Sequence, residues 1–242
     1  MTSYDDEVGK EFYTHTHSDF SNVNIRLGFI KKVYSILTVQ LLITMAIGFI
    51  SINTGFGDFQ MRNTWLIITA CIFAFVVSLI MVCCHNLARK VPTNYILLFT
   101  FTLCEAYAIS AVCKAYADRG QADLVMIALG LTVGMTFALT LYAMTTKSDM
   151  TTLGGTLFAC LIGLLFFSFL ALFTHLKWVQ IIISVLTIIC FGVYLVFDTQ
   201  LIMGGKRFQL EIDDYIIGAL QLYLDIIILF LEILKLLAAT EK

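Results

Sequence analysis

Proline and charged residues are scarce in this sequence of 242 residues, which contains one proline and 13% charged side chains. Hydrophobic residues make up 60% of the chain, more than a soluble domain of this size could place in a core. The net charge of −2 gives no sign of a basic surface, so no nucleic-acid partner is expected. The composition therefore indicates a polytopic membrane protein with one membrane domain.

The cysteines do not supply an extracellular disulfide framework, because the seven of them are odd in number and lie within or beside apolar runs. We interpret them as small buried hydrophobic residues. Residues 1–24 are polar and acidic and contain no apolar core of a signal peptide. We expect a disordered acidic cytosolic tail at 1–24 and a membrane domain at 25–242.

Apolar runs fill most of the remaining sequence, and each is close to the roughly 17 to 25 residues that a helix needs to cross the hydrocarbon layer. They lack the period-two alternation of a membrane β-barrel. The predicted fold is an all-α polytopic membrane protein with seven transmembrane helices, six of them surrounding a central C-terminal helix. The runs are Val33–Ile52, Trp65–Cys84, Tyr95–Val112, Leu124–Met144, Leu157–Phe173, Trp178–Phe197 and Tyr215–Leu237.

Lysine and arginine placement predicts the orientation of the bundle. With the N-terminus in the cytosol, the cytosolic segments carry the larger share of these residues, including the cluster Arg26, Lys31 and Lys32 before the first run. Short cytosolic segments are usually enriched in positive charge. We therefore expect a cytosolic N-terminus.

Asp225 lies near the middle of the last run, where a carboxylate costs about 2.5–3.5 kcal/mol on insertion scales. It belongs to a polar stripe whose members repeat every three or four residues and so share one face of a helix. Such a stripe cannot face lipid, which predicts that the last helix is central. The stripe comprises Asp214, Gly218, Gln221, Asp225, Ile228, Glu232 and Lys235.

A second carboxylate, Asp198, closes the preceding apolar run. Acids on two consecutive membrane helices indicate a site that handles protons or cations. Glu105 lies in the third run, where it either joins the same cavity or is a protonated acid bonded to a neighbouring helix. Both interpretations of Glu105 are open from the sequence.

If the carboxylates of Asp198 and Asp225 meet in a poorly hydrated site, they cannot both stay ionised, and one proton is held between them. Loss of that proton leaves two like charges in contact, which couples pH to the packing of the last two helices. The same oxygens, with carbonyls and water, would form a weak and transient Ca²⁺ site of the kind that suits ion passage.

Three segments carry a resemblance to a known family. The first is IRLGFIKKVYSILTVQLL, Ile25–Leu42; the second is FDTQLIMGGK, Phe197–Lys206; the third runs from Asp213 through LYLDII, Leu222–Ile227. Together they resemble the Bax-inhibitor (TMBIM) family of membrane proteins, with the nearest likeness to its lifeguard branch.

The resemblance implies a seven-helix bundle and a pH-sensitive cation leak, mainly for Ca²⁺ out of internal stores. It also implies protection against stress-induced cell death, in membranes of the endoplasmic reticulum or Golgi rather than the plasma membrane. Within it, Asp198 and Asp225 match a hydrogen-bonded aspartate pair that senses pH, and Asp213 matches an acid linked to conduction. Arg89 is the candidate for an arginine that latches the pair. By their positions in the sequence, Glu105 and Glu232 join Asp213 as candidates for a secondary acidic pathway.

The expected partners are Ca²⁺, membrane lipid, and apoptosis regulators or receptors, and no organic cofactor is expected. One alternative is a non-conducting membrane protein that regulates cell death by binding partners. A remote alternative is an intramembrane aspartyl protease, which also places two aspartates on adjacent helices. Its Gly-x-Gly-Asp motif is absent around Asp225, and the only proline, Pro92, cannot form its Pro-Ala-Leu segment. We therefore expect no enzyme activity.

Overall fold

The computed structural model describes residues 2–174 and 176–241, with side chains from residue 23 onward except those of residues 85, 172 and 174. The regular structure of these residues is helical throughout, with two short 3₁₀ helices at Met150–Leu153 and Ile212–Asp214. The α-helices are α1 (Thr2–Asn53), α2 (Gly55–Arg62), α3 (Thr64–Cys83), α4 (His85–Arg89), α5 (Thr93–Ala117), α6 (Ala122–Thr145), α7 (Gly154–Thr174), α8 (Lys177–Met203) and α9 (Tyr215–Thr240). The all-α prediction is confirmed for this part of the chain.

Six helices are long and apolar enough to cross a membrane, namely α1 from Val23 onward, α3, α5, α6, α7 and α8. Each coincides with one of the first six predicted runs. Most helices extend beyond the runs, because helical hydrogen bonding continues into the polar residues at either edge. The tail predicted at 1–24 falls almost wholly on residues whose side chains lie outside the described part, and its disorder stays a prediction.

The C-terminal helix α9 is the most enclosed element of the bundle. Every side chain from Tyr215 to Leu237 is buried or half-buried. The hydroxyl of Tyr223, a fully buried residue, lies 2.9 Å from the hydroxyl of Thr44 on α1. Its ring meets Phe101 of α5 edge to face, with 5.9 Å between ring centroids. The prediction of a central last helix therefore agrees with its packing.

The layer around α9 differs from the predicted ring of six. The long helices α1, α5, α6 and α8 pack directly against it. Helix α3 packs against α5 and helix α7 against α8, so these two form an outer layer. Large apolar side chains on both are exposed, such as Phe75 on α3 and Phe166 on α7. Lipid tails solvate such side chains as well as protein does, so nothing drives α3 and α7 inward.

A hairpin of two helices, α8 and α9, holds the predicted aspartates. The sequence places Asp198 at the close of an apolar run, whereas α8 continues to Met203 and Asp198 lies inside it. Gly204 and Gly205 end the helix with φ of +72° and +76°. These are left-handed values that glycine adopts without the steric cost of a Cβ. The chain then turns and α9 returns antiparallel to α8.

Candidate functional site

A side-chain hydrogen bond joins the carboxyl groups of Asp198 on α8 and Asp225 on α9. Each residue is only 4% exposed. Asp198 lies in a segment of α8, Leu195–Ile202, that is packed against α9 and largely buried. The structure thus brings together the two residues that the sequence singles out.

A hydrogen bond between two carboxyl groups requires that one of them carries a proton, because an ionised carboxylate only accepts. One oxygen of each residue, Oδ1 of Asp198 and Oδ2 of Asp225, has no hydrogen-bond donor among the described residues. Buried oxygen atoms usually accept a hydrogen bond. Two carboxyl oxygens without a donor, on two residues in contact, therefore mark a site with capacity for a further proton or cation.

Other polar groups of α8 and α1 surround the pair. Tyr194, one turn before Asp198, interacts electrostatically with both aspartates. Thr199 follows Asp198, and its hydroxyl is buried without a hydrogen-bond partner among the described residues. The hydroxyl of Tyr34 on α1 lies near that of Thr199. The site is therefore a polar pocket inside an otherwise apolar bundle.

Arg26 of α1 forms hydrogen bonds with the end of α8 and with the loop that follows it. Its guanidinium donates to the carbonyl oxygens of Leu201 and Leu210, each at 2.6 Å, and to that of Met203 at 3.3 Å. The last carbonyls of a helix have no partner within the helix, and Arg26 donates to two of them, those of Leu201 and Met203. The carbonyl of Leu201 also accepts from the backbone nitrogen of Leu210 at 3.0 Å. Sequence reasoning assigned Arg26 only to the orientation and to the resemblance. Its contact with α8 could not be found without knowing that the two ends of the chain meet.

The model of a protein family matches residues 26–242, and its description is "Inhibitor of apoptosis-promoting Bax1". The chain is 34% identical to human (Homo sapiens) "Protein lifeguard 3" over 228 residues, covering 90% of this chain and 71% of that protein. It is 32% identical to the mouse (Mus musculus) protein of that name over 232 residues, covering 92% and 72%. It is 35% identical to mouse "Protein lifeguard 4" over 225 residues, covering 92% and 89%.

This chain belongs to the Bax-inhibitor family. The membership and the six apolar helices together identify an integral membrane protein, and the family description supports an anti-apoptotic role. The family match begins at residue 26. It therefore includes Arg26, the hairpin of α8 and α9, and both aspartates of the pair.

In this Bax-inhibitor protein, the side chain of Arg89 at the end of α4 contacts residues just before α9 rather than the aspartate pair. Its Nε is 2.7 Å from Oδ1 of Asp214 and one terminal nitrogen is 2.9 Å from Oδ2, a two-point contact. The same nitrogen lies 2.7 Å from Glu211. The hydrogen bond with Asp214 is the main reason that the pKa of Arg89 is raised. Arg89 thus fixes the residue that precedes α9, and the structure does not bring it to the carboxyls of the pair.

The remaining predicted acids lie apart from the pair. Glu105 on α5 is half-buried and interacts electrostatically with Cys71 of α3 and Tyr223 of α9. Asp213 is exposed in the 3₁₀ helix before α9. Glu232 is half-buried and pairs with Lys235 at 3.4 Å, about 10 Å along α9 from Asp225. These acids occur at several depths of the bundle rather than in one cluster.

A second polar cluster, which the sequence did not reveal, lies at the opposite end of the bundle. The ammonium group of Lys114 on α5 is 2.9 Å from Asp58 of α2 and 2.5 Å from Asp118. Hydrogen bonding by Lys114 lowers the pKa of Asp58. Beside it, Gln60 is fully buried and bonds to Ser110 at 2.9 Å. This cluster anchors the short helix α2 over the end of α5.

The described residues contain no group of three or more histidine, cysteine, aspartate or glutamate side chains arranged to hold a metal ion. Two carboxylates alone supply fewer oxygens than the six to eight that Ca²⁺ prefers. The Ca²⁺ site predicted at Asp198 and Asp225 therefore stays a prediction. Such a site would let Ca²⁺ ions pass rather than hold them tightly.

Proposed function

We propose that this protein is a pH-sensitive leak pathway for cations, chiefly Ca²⁺, in which the Asp198–Asp225 pair is the gate. The observation that carries the proposal is the hydrogen bond between two buried carboxyl groups on consecutive helices. Ionisable groups inside a membrane bundle are costly, and they commonly mark ion or proton pathways. No other acid in the described spans is paired in this way.

The proposed mechanism follows from the shared proton. While one carboxyl donates to the other, the pair joins α8 to α9. When the proton leaves, two negative charges face each other in a site with little water, and they repel strongly. Separation of the helices or entry of a cation relieves the repulsion. Because both responses change the pathway, the leak varies with pH.

Ca²⁺ would pass the pair as cargo. The unpaired oxygens of Asp198 and Asp225, with the nearby hydroxyl of Thr199, offer oxygen ligands of the hard type that Ca²⁺ selects. Their small number keeps the binding weak, and weak binding allows an ion to leave as readily as it enters. Arg89 would act as a latch on α9 through Asp214, and Glu105, Asp213 and Glu232 would attract cations toward the pathway.

The test is Ca²⁺ flux into liposomes that contain the purified protein, measured from about pH 5 to pH 8. Asp198→Asn and Asp225→Asn each remove the shared proton while keeping the shape of the side chain. We expect both variants to lose the pH response, and the double variant to behave like either single one. Asp123→Asn on α6 is the matched control, because Asp123 is exposed and should leave the response unchanged. A pH response of Asp225→Asn equal to that of the unchanged protein would reject the gate.

The anti-apoptotic role of the family would follow from this leak, since it lowers the Ca²⁺ content of internal stores. An alternative is that the protein protects cells by binding apoptosis regulators or receptors without conducting ions. Cells that express Asp225→Asn distinguish the two. Loss of protection together with loss of flux supports the leak, whereas protection without flux supports the binding role.

We further propose that α9 crosses the membrane as a seventh span, with the N-terminus in the cytosol and the C-terminus on the other side. Its 26 residues give a helix about 39 Å long, longer than the hydrocarbon layer of about 30 Å. A tag after residue 242 tests this in vesicles of endoplasmic reticulum or Golgi. Protection of the tag from added protease is expected, and cleavage in intact vesicles would contradict the crossing.

A further inference from the structure

A cavity of about 700 Å³ lies between the facing sides of α1 and α6. Its floor is formed by α5 and α9, with Ile109 and Ile226 among the residues there. The volume falls within the range of about 300–1,000 Å³ that is typical of ligand pockets. The described residues that line it include no charged side chain. The cavity is therefore suited to a neutral, largely apolar molecule.

The mouth of this cavity opens toward the bilayer. Met45 and Phe49 of α1 form one rim, and Val133 and Phe137 of α6 form the other. All four are exposed, Phe49 to 70% and Phe137 to 65%. Exposed apolar side chains on membrane helices face lipid. A molecule that dissolves in the bilayer can thus enter from the side, without passing through water.

One end of the cavity carries hydroxyl groups that lack partners. The side-chain oxygens of Tyr34 and Thr136 are buried, and neither has a hydrogen-bond partner among the described residues. The Tyr34 hydroxyl lies near that of Thr199 on α8 and near that of Thr140, which is one turn along α6 from Thr136. Lys31 and Lys32, both exposed, precede Tyr34 by less than one turn. Lysines at a helix end mark the membrane surface, so these hydroxyls lie near the depth of lipid headgroups.

We propose that this cavity binds a sterol, with the sterol hydroxyl between Tyr34 and Thr136 and the ring system along the groove. A single hydroxyl can donate to one partner and accept from the other, which satisfies both buried oxygens. A phosphate or carboxylate headgroup would lack a cationic partner in the lining. Asp198 and Asp225 are not among the residues that line this cavity, although Tyr34 at its end also lies near Thr199 beside the aspartate pair. The sterol proposal does not rest on the leak.

The test uses a cholesterol analogue that carries a photoreactive diazirine and an alkyne, in liposomes that contain the full-length protein. Labelled peptides are expected to come from α1 and α6, and excess unlabelled cholesterol is expected to suppress the labelling. A phosphatidylcholine with a photoreactive acyl chain serves as the second probe. Equal labelling by both probes, without competition by cholesterol, would show that ordinary lipid tails fill the groove and would overturn the proposal.

A matched pair of glycine substitutions tests the location. Gly48 lines the cavity and Gly134 of α6 lies outside the lining, and a Cβ at either meets no atom within 4 Å. The backbone therefore has room for a Cβ at both positions, and thermal unfolding of each leucine variant checks that the fold is kept. Gly48→Leu places a side chain in the groove and is expected to lower labelling at least about fivefold, because the leucine would overlap with a bound sterol. Gly134→Leu should label as the unchanged protein does, and equal labelling of the two variants would contradict the site.

Removal of the hydroxyls tests recognition of the headgroup. Tyr34→Phe and Thr136→Val keep the volume of the side chain and delete one hydrogen-bonding group each. Each should weaken competition by cholesterol about three- to tenfold, the worth of one hydrogen bond. Competition by cholestenone, which has a ketone in place of the hydroxyl, should change less. Unchanged preference for cholesterol over cholestenone in both variants would refute the proposed orientation.

Discussion

Arg89 holds Asp214 through two parallel hydrogen bonds, 2.7 Å and 2.9 Å long. Only 9% of the Asp214 side chain is exposed, against 36% for Arg89. The contact joins α4 to the residue that immediately precedes the central helix, so it fixes where α9 begins. Since Asp225 lies on the same helix, this ion pair also helps to set the depth of the aspartate pair.

We predict that Arg89→Gln and Asp214→Asn each lower the thermal unfolding temperature in detergent, and that the double variant loses less than the sum of both changes. Each single change leaves the other residue without a charge-assisted hydrogen bond. The effects on stability of substituting two such partners are therefore not additive. Arg89→Lys should recover little, because lysine cannot make the two-point contact. Lys90→Gln, at an exposed neighbour, is the control. Strict additivity in the cycle would show that the contact contributes no coupling.

Gly204→Ala should destabilise the protein more than Gly205→Ala. Both glycines have positive φ, so each alanine carries a backbone cost of about 1–3 kcal/mol. Only at Gly204 would the added Cβ also meet neighbours, at 2.7 Å from Gln209 Oε1 and 2.8 Å from Arg26 Nε. It would thus displace the arginine that binds the α8 carbonyls. Chemical unfolding of the two variants measures the difference, and equal losses would mean that Arg26 adjusts freely.

Gly57→Ala should destabilise the protein, whereas Gly55→Ala should not. A Cβ at Gly57 would overlap the carbonyl oxygen of Ser51 and lie 2.7 Å from the Lys114 side chain, whereas one at Gly55 meets nothing within 4 Å. Overpacking at Gly57 should cost about 1–3 kcal/mol. Gly55→Ala should be neutral or stabilising by up to about 1 kcal/mol, because alanine restricts the unfolded chain. A neutral Gly57→Ala would show that α2 is not held closely by the Lys114 cluster.

Asp149 should make stability depend on pH in the acid range. Its carboxylate accepts from the hydroxyl of Thr151 at 2.6 Å and from the backbone nitrogen of Arg207 at 3.1 Å. The Thr151 hydrogen bond is the main cause of a pKa below the ordinary value of 3.8. Because the folded pKa is depressed, the stabilisation is present above about pH 3.8 and is lost as the pH falls through the folded value.

The variant Asp149→Asn should accordingly unfold at a lower temperature than the unchanged protein at neutral pH, with the difference shrinking below about pH 3.8. Thermal unfolding from about pH 3 to pH 7 measures this, with the exposed Asp123→Asn as control. A difference that stays constant over the range would exclude Asp149 as the titrating group. This pH window lies below that of the flux assay, so Asp149 cannot account for a pH response of the proposed leak.

The aspartates could be predicted because a charged residue inside an apolar run is evident from the neighbouring sequence alone. A charge in the middle of an apolar run is costly wherever the run packs, so Asp225 is conspicuous in the sequence alone. The six spans were predictable for the same reason, since hydrocarbon thickness fixes their length. The central place of α9 followed from its polar stripe, which lipid would not solvate.

The contacts between distant segments were not predictable. Arg26 reaches Leu201 and Leu210 across more than 170 residues, and no spacing in the sequence encodes that approach. The position of Arg89 after the second span makes it the candidate latch, yet its partner depends on where α4 meets the start of α9. The outer position of α3 and α7 also escaped prediction, because lipid and protein solvate an apolar helix almost equally.

The outer position of α7 bears on any movement within the hairpin. In the part of the chain that the structure describes, α7 packs on α8 and on the 3₁₀ helix before it. A displacement of α8 therefore carries a second helix sideways, and neighbouring lipids have to rearrange around both. The thickness and stiffness of the host bilayer then contribute to the work of parting α8 from α9. If the proposed gate operates, the same chain would respond differently to acid in thin and thick membranes.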